Sequence, residues 1–427
     1  MPSSIGWIDF SSEHREKVRT VLDLLSAPGV VDELGIGVVR DALADRMFPG
    51  ISTVQTRPKY FTLTALLLDD YLHVEKRKRS PRSLQRYLEE EEISCRIQLV
   101  ERHGEGRQRL GIIGNSFGTR RDRDVVRKPS SIYWTGLCRF GIVSPRHLSL
   151  AEFARCVADE SRQLRTLLHE QGNERGDDPD AEDGSGLARV LAPEVGPDYW
   201  KDLSIDLTRE EALFLRHQIT ARQPDSLVGQ ILLSPAAMEQ VAMLPEQTRF
   251  EDFAALPFVA ELRSEDLRRT VTHARDFWRL LKGAHILYNC LLRKAGFGLE
   301  EERDRFEADW EEWRDSIARF PEQWDSSFLW SVVHRAGGRP GPTRVFVDAW
   351  IEQCRHGAAE RSTCERLVID QEIRVKRSRA RLRPSNKEAV DDWAGIREVN
   401  FRAPQVMQLV SDILDGESRQ PKKGSRG

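Results

Sequence analysis

The chain has 427 residues, of which 31% are charged and 39% hydrophobic, and a net charge of −3; its mean hydropathy is −0.52. It is long enough for two domains with separate cores, and no apolar run approaches the length of a membrane span. The opening Met1-Pro-Ser-Ser-Ile-Gly-Trp7 lacks the charged and apolar regions of a secretory signal, so a cytoplasmic protein with no membrane contact is expected.

Helical signals follow one another along the first part of the chain. Ser11 or Ser12 caps a helix through Leu25, ended by Ala27-Pro-Gly29. Asp32 caps the next, which carries Ile36, Val39, Ala42, Leu43 and Met47 up to Pro49-Gly50. Arg57 or Pro58 opens a third, through Leu66, Leu67 and Tyr71. Residues 104–128 are rich in Gly and Arg and read as a loop or short hairpin. Pro129 then starts a short apolar helix ending near Gly141, and Ser149 caps Leu150 to Leu168.

Residues 171–186 hold no apolar side chain larger than alanine and cannot repay the entropy of ordering. Beyond them Thr208-Arg-Glu-Glu211 forms a capping box ahead of Leu213 and Ile219. Ser264 starts a long helix. Phe306, Trp310, Trp313, Ile317 and Phe320 recur at helical spacing and read as a buried stripe, and Val406, Leu409, Val410 and Ile413 mark a final helix. The expected fold is mostly α, with two helical lobes joined by an acidic flexible linker. The lobes span 1–169 and 198–415, the linker 170–197, and a loose basic tail 416–427.

The chemistry of familiar motifs is missing. There is no P-loop, H-E-x-x-H, G-x-S-x-G or Rossmann glycine fingerprint. Cys95, Cys138, Cys156, Cys290, Cys354 and Cys364 show no C-x-x-C pairing and read as free buried thiols. The histidines lack ligand spacing. Asp69, Asp70, Glu75 and Lys76 faintly echo the acidic-plus-lysine core of a metal-dependent nuclease, but on a predicted helix rather than a strand pair. No catalytic residue, metal or cofactor is assigned.

Binding residues are easier to nominate. Basic blocks occur at Lys76–Arg86, at Arg120, Arg121, Arg123, Arg127 and Lys128, and at Arg374–Arg383, offset by acidic runs at Glu89–Glu92 and Asp177–Asp183. Such blocks track a phosphate backbone or pair with neighbouring acids. After the Pro49-Gly50 turn, Gln55, Arg57, Lys59 and Tyr60 gather where a helix begins, an arrangement suited to an anion. The alternative is a capped helix with Tyr60 packed beneath. The candidate contacts are Gln55, Arg57, Lys59, Tyr60, Arg120, Arg121, Arg377, Arg379 and Arg381.

Several elements resemble a bacterial domain-of-unknown-function family: Trp7-Ile-Asp-Phe-Ser11, Asp32-Glu-Leu-Gly-Ile-Gly37 with Arg40-Asp41, and Phe48 to Tyr60. Tyr133 to Leu137, Arg379 to Leu382 and Trp393 to Gly395 extend the likeness. The chain departs from the pattern at Phe401-Arg-Ala-Pro404, where a Tyr-Arg-Trp-like element is expected. The resemblance implies a neighbourhood of helicases and phospholipase-D-like nucleases in phage-defence islands. Three functions are thus in play. The first is a non-catalytic accessory protein touching DNA or RNA backbone. The second is a protein–protein adaptor for a helicase or nuclease encoded nearby, and the third is a cryptic metal-dependent nuclease.

Overall fold

The computed structural model describes residues 32–78, 81–104, 111–159, 188–296, 301–317, 324–356, 358, 360–383 and 398–420. The architecture is mostly α and multi-helical, and the strands described are one antiparallel pair, Val143–Ser144 with Arg189–Val190. No helix among the described residues is long and apolar enough to cross a membrane. The helix expected after Ser11, and residues 170–187 of the acidic stretch, lie outside the described residues. All six cysteines are free, and all but the half-buried Cys156 are buried.

The chain forms two compact units, Met1–Leu43 with Thr272–Val399, and Ala44–Val271 with Asn400–Gly427. These bounds differ from the expected lobes at 1–169 and 198–415. Residues 188–207 do not act as a spacer, because Val190 pairs with Val143 and Tyr199, Leu203, Ile205 and Leu207 are buried. Residues 416–420 of the expected loose tail are placed, and 421–427 lie outside the described residues. The Ala403–Ser418 helix includes Gly416, where a Cβ would sit 2.7 Å from that of Ala212. Arg419 then donates to the Leu207 carbonyl at 3.1 Å.

In the first unit the predicted aromatic stripe is core. Trp310, Trp313 and Ile317 of the Glu301–Ile317 helix are buried, while Phe320 lies outside the described residues. Trp313 donates to the Arg279 carbonyl at 2.7 Å and lies against Gly283, where a Cβ would come within 2.2 Å of the ring. Trp350 donates to the Leu280 carbonyl at 2.8 Å. These two bonds seat the Glu301–Ile317 and Gly341–Arg355 helices on the Glu265–Lys294 helix.

The Asp32–Gly37 stretch also belongs to packing. Asp32 accepts from the Gly37 amide, so it does cap the Gly37–Met47 helix, from five residues back. The Leu34 carbonyl accepts from Gln371 and the Gly35 carbonyl from Thr343, each at 2.8 Å, and Glu33 pairs with Lys376 at 3.2 Å. Gly35 has φ +67°, and a Cβ there would meet Val375 at 2.8 Å, so two constraints select glycine.

In the second unit the Lys59–His73 helix is central. Its Phe61 packs edge-on to Tyr133 at 4.7 Å and against Phe140 at 5.2 Å. Thr208 and Glu211 complete the predicted capping box of the Arg209–Arg222 helix. The Leu84–His103 helix was not anticipated from periodicity. Its buried side runs through Leu84, Leu88, Cys95 and Leu99, but Glu92 and Arg96 stand on the same side and interrupt the apolar stripe. At Phe401-Arg402 the backbone is left-handed at both residues (φ +47° and +71°). The Phe401 ring packs at a tilt 4.7 Å from that of Phe250, and Arg402 donates to the Ile51 carbonyl at 2.7 Å.

Candidate functional site

The expected anion pocket at residues 55–60 is filled from within the second unit. Gln55 closes the Pro49-Gly50 turn, accepting from the Ser52 amide and donating to the Gly50 carbonyl, each at 3.1 Å. The Tyr133 hydroxyl accepts from the amides of Thr56 and Arg57 and donates to the Arg57 carbonyl. Amides that would have faced an anion are therefore spent on a tyrosine.

The two cations are likewise engaged. Arg57 holds Asp412 through Nε (2.6 Å) and Nη2 (3.0 Å), and reaches Asp206 at 3.0 Å. Lys59, only 1% exposed, donates to Glu211 at 2.7 Å and lies over the Tyr199 ring at 4.8 Å. Burial pulls the Lys59 ammonium below the usual lysine range, and Glu211 opposes that pull. Glu211 is saturated: Thr62 (2.7 Å) and Tyr199 (2.8 Å) donate to Oε1, and Lys59 and the Thr208 amide (2.8 Å) to Oε2. A buried carboxylate with every acceptor position used ties helix 59–73 to segment 199–211.

The remaining signature side chains support a loop. Thr56 donates to the Gly111 carbonyl at 2.7 Å, and the Tyr60 hydroxyl accepts from the Ile113 amide at 2.8 Å. From the other side Arg96, 4% exposed, donates to the carbonyls of Gly118, Arg120 (2.6 Å) and Arg123 (3.0 Å). Gly114 (φ +78°) crosses directly over that side chain, where a Cβ would lie 2.7 Å from Arg96 Cδ. Residues 111–128 are thus a held loop with one helical turn at Asn115–Phe117, not a hairpin.

On the outside of this loop Arg120, Arg121, Arg123 and Arg127 are exposed. Arg120 bends back to the Phe117 carbonyl at 3.3 Å, and Arg123 lies 4.0 Å from Asp122. Lys128 is neutralised by Asp124 at 2.7 Å. Beneath the loop Glu92 accepts from the Ser130 amide at 2.6 Å, capping the Pro129–Arg139 helix from another element, while its Oε2 has no partner. Burial pushes this carboxyl up to about 7.

The other two basic blocks differ. In the first, Arg82 is held by Glu75 (3.0 Å), Glu90 (2.8 Å) and Glu91 (3.2 Å), and Arg86 by Glu90 (2.8 Å), so the neighbouring acidic run consumes it. The third, in the first unit, exposes Arg377 and Arg379. Arg381 is half-buried, and its amide donates to Glu372 at 2.7 Å. Asp69 and Asp70 lie near the end of the Lys59–His73 helix, not on a strand pair. Asp69 pairs with His73 at 3.1 Å and Asp70 accepts from Tyr87, so their carboxylates serve separate partners.

Of the nine candidates, Gln55, Arg57, Lys59 and Tyr60 are internal, Arg381 is partly so, and Arg120, Arg121, Arg377 and Arg379 face solvent. Sequence reasoning missed Arg96, Tyr133, Glu211, Asp206 and Asp412 as partners. Only Glu211 carried a local signal, and that signal was its cap.

The described residues form a mostly helical protein with an outward-facing arginine loop. Residues 2–160 match the model of a family of unknown function (DUF6361), which supports an uncharacterised domain family for that segment. The match includes the signature stretch and the arginine loop, while the elements near Arg379 and Trp393 lie beyond it. No curated protein and no solved structure matches the chain.

Proposed function

We propose that this chain is a non-catalytic accessory protein of a nucleic-acid-processing system, contacting DNA or RNA backbone chiefly through Arg120, Arg121, Arg123 and Arg127. The observation that carries the reading is a contrast in surroundings: these four arginines are exposed, with Asp122 4.0 Å from Arg123, while Arg82 and Arg86 of the first block are held closely by acids. Solvent-exposed guanidinium groups on a held loop attract phosphate with little sequence preference. Arg377 and Arg379 supply a second contact. The resemblance of the signature elements supports a setting in antiviral defence beside a helicase or nuclease.

Fluorescence anisotropy of the full chain on labelled single- and double-stranded DNA and RNA across a salt series tests this. Affinity should fall steeply with salt, by a slope of about 0.9 per phosphate neutralised. Replacing Arg120, Arg121 and Arg123 together by Ala should weaken binding and lower the slope by about 2–3. No binding at low salt, or a variant with unchanged affinity and slope, overturns the proposal in favour of the adaptor.

A further inference from the structure

We infer that Arg96 is a positioning residue that turns the loop into a phosphate cradle, in which the main-chain amides of Thr119 and Arg121 act together with the guanidinium groups around them. The inference rests on the nucleic-acid reading above and names the atoms that would carry it.

The argument begins with the peptide bond. In a trans peptide the C=O of one residue and the N–H of the next point in opposite directions. Arg96 draws the carbonyls of Gly118 and Arg120 inward onto one buried guanidinium. The amides of Thr119 and Arg121 must then point the other way, and both residues are exposed. Neither amide has a hydrogen-bond partner among the described residues. Two outward N–H groups two positions apart, flanked by Arg120, Arg121 and Arg123, present a set of donors matched to phosphate oxygens.

The design explains why a charged side chain is buried here. A guanidinium has a planar fork of donors and reaches three carbonyls at once, which an ammonium on a flexible stem does not hold in the same plane. Arg96 lies on the Leu84–His103 helix and is shielded from solvent, so it shapes the loop without itself meeting a ligand. Asp122, with its side chain 77% exposed, lies 4.0 Å from Arg123 and competes for that guanidinium. It opposes an anion and offers a second handle on the same site.

The test uses the full chain and two probes, inorganic phosphate and a labelled oligonucleotide. Amide resonances of Thr119 and Arg121 are followed by NMR on selectively labelled protein while each probe is added. The expected result is that both amides shift with both probes, that Arg96→Lys weakens oligonucleotide binding about tenfold, and that Asp122→Asn strengthens it. The amide shifts decide the matter even if Arg96→Lys fails to fold. Oligonucleotide binding with both amides unmoved overturns the cradle and leaves the nucleic-acid reading standing. Phosphate-induced shifts without oligonucleotide binding overturn the nucleic-acid reading and keep a small-phosphate cradle. If neither probe has an effect, both fall.

Discussion

The signature stretch 48–60 and the loop 111–128 contain the same kinds of residue, cations and aromatics among glycines, yet they do opposite work. In the first, Arg57 and Lys59 point inward to Asp412, Asp206 and Glu211. In the second, Arg120, Arg121 and Arg123 point outward, and the inward-facing charge is supplied by a different segment through Arg96. A cation in a motif is available to a ligand only when no acidic group from elsewhere has reached it first, and all three acidic partners here come from distant parts of the chain.

The comparison breaks most sharply at Lys59. Lys59→Ala or Glu211→Ala leaves a buried charge uncompensated, and each should cost about 3–5 kcal/mol in denaturant unfolding. The Lys59→Met/Glu211→Leu pair should recover much of that loss, as expected of a structural pair. Normal stability in either single variant would return Lys59 to the list of binding residues. Arg57→Ala strands Asp412, which is 5% exposed, and should cost about 3 kcal/mol by the same route.

Glu92 sharpens the comparison through pH. Its folded-state carboxyl is raised to about 7 by burial, above the ordinary 4.5. Between those values the folded chain keeps a proton that the unfolded chain has released. Stability from this group is therefore lost as pH rises from about 4.5 through about 7. Glu92→Gln should flatten that decline, making the variant more stable than the parent at pH 8 by at most ~3 kcal/mol and no different at pH 4. Thermal melts at the two pH values check the sign.

The smallest stability effect belongs to the loop surface. Arg120→Ala with Arg121→Ala and Arg123→Ala should change unfolding free energy by less than about 0.5 kcal/mol. The same variant should lose most nucleic-acid affinity at physiological salt. A large destabilisation would mean that these side chains also support the fold.

Much of the fold was legible because its signals are local. Pro58, Thr208 with Glu211, and Ser264 each mark a helix start from the residues immediately around them, and Trp310 with Trp313 mark a buried face by spacing alone. The Leu84–His103 helix was harder, since Glu92 and Arg96 sit among its buried positions for the sake of Ser130 and the loop carbonyls. The candidate site was legible only as composition. Nothing near Lys59 in sequence announces Glu211, 152 positions away.

The amino-acid sequence by itself determined the helical class, the starts of several helices, the free thiols and the existence of three basic blocks. These depend on propensity, capping and periodicity, which act over a few residues. Only the tertiary structure decided which cations are spent and which are offered to solvent, and where the chain divides into units. Charge pairing and burial depend on distances between segments far apart in the chain, and a local pattern does not contain those distances.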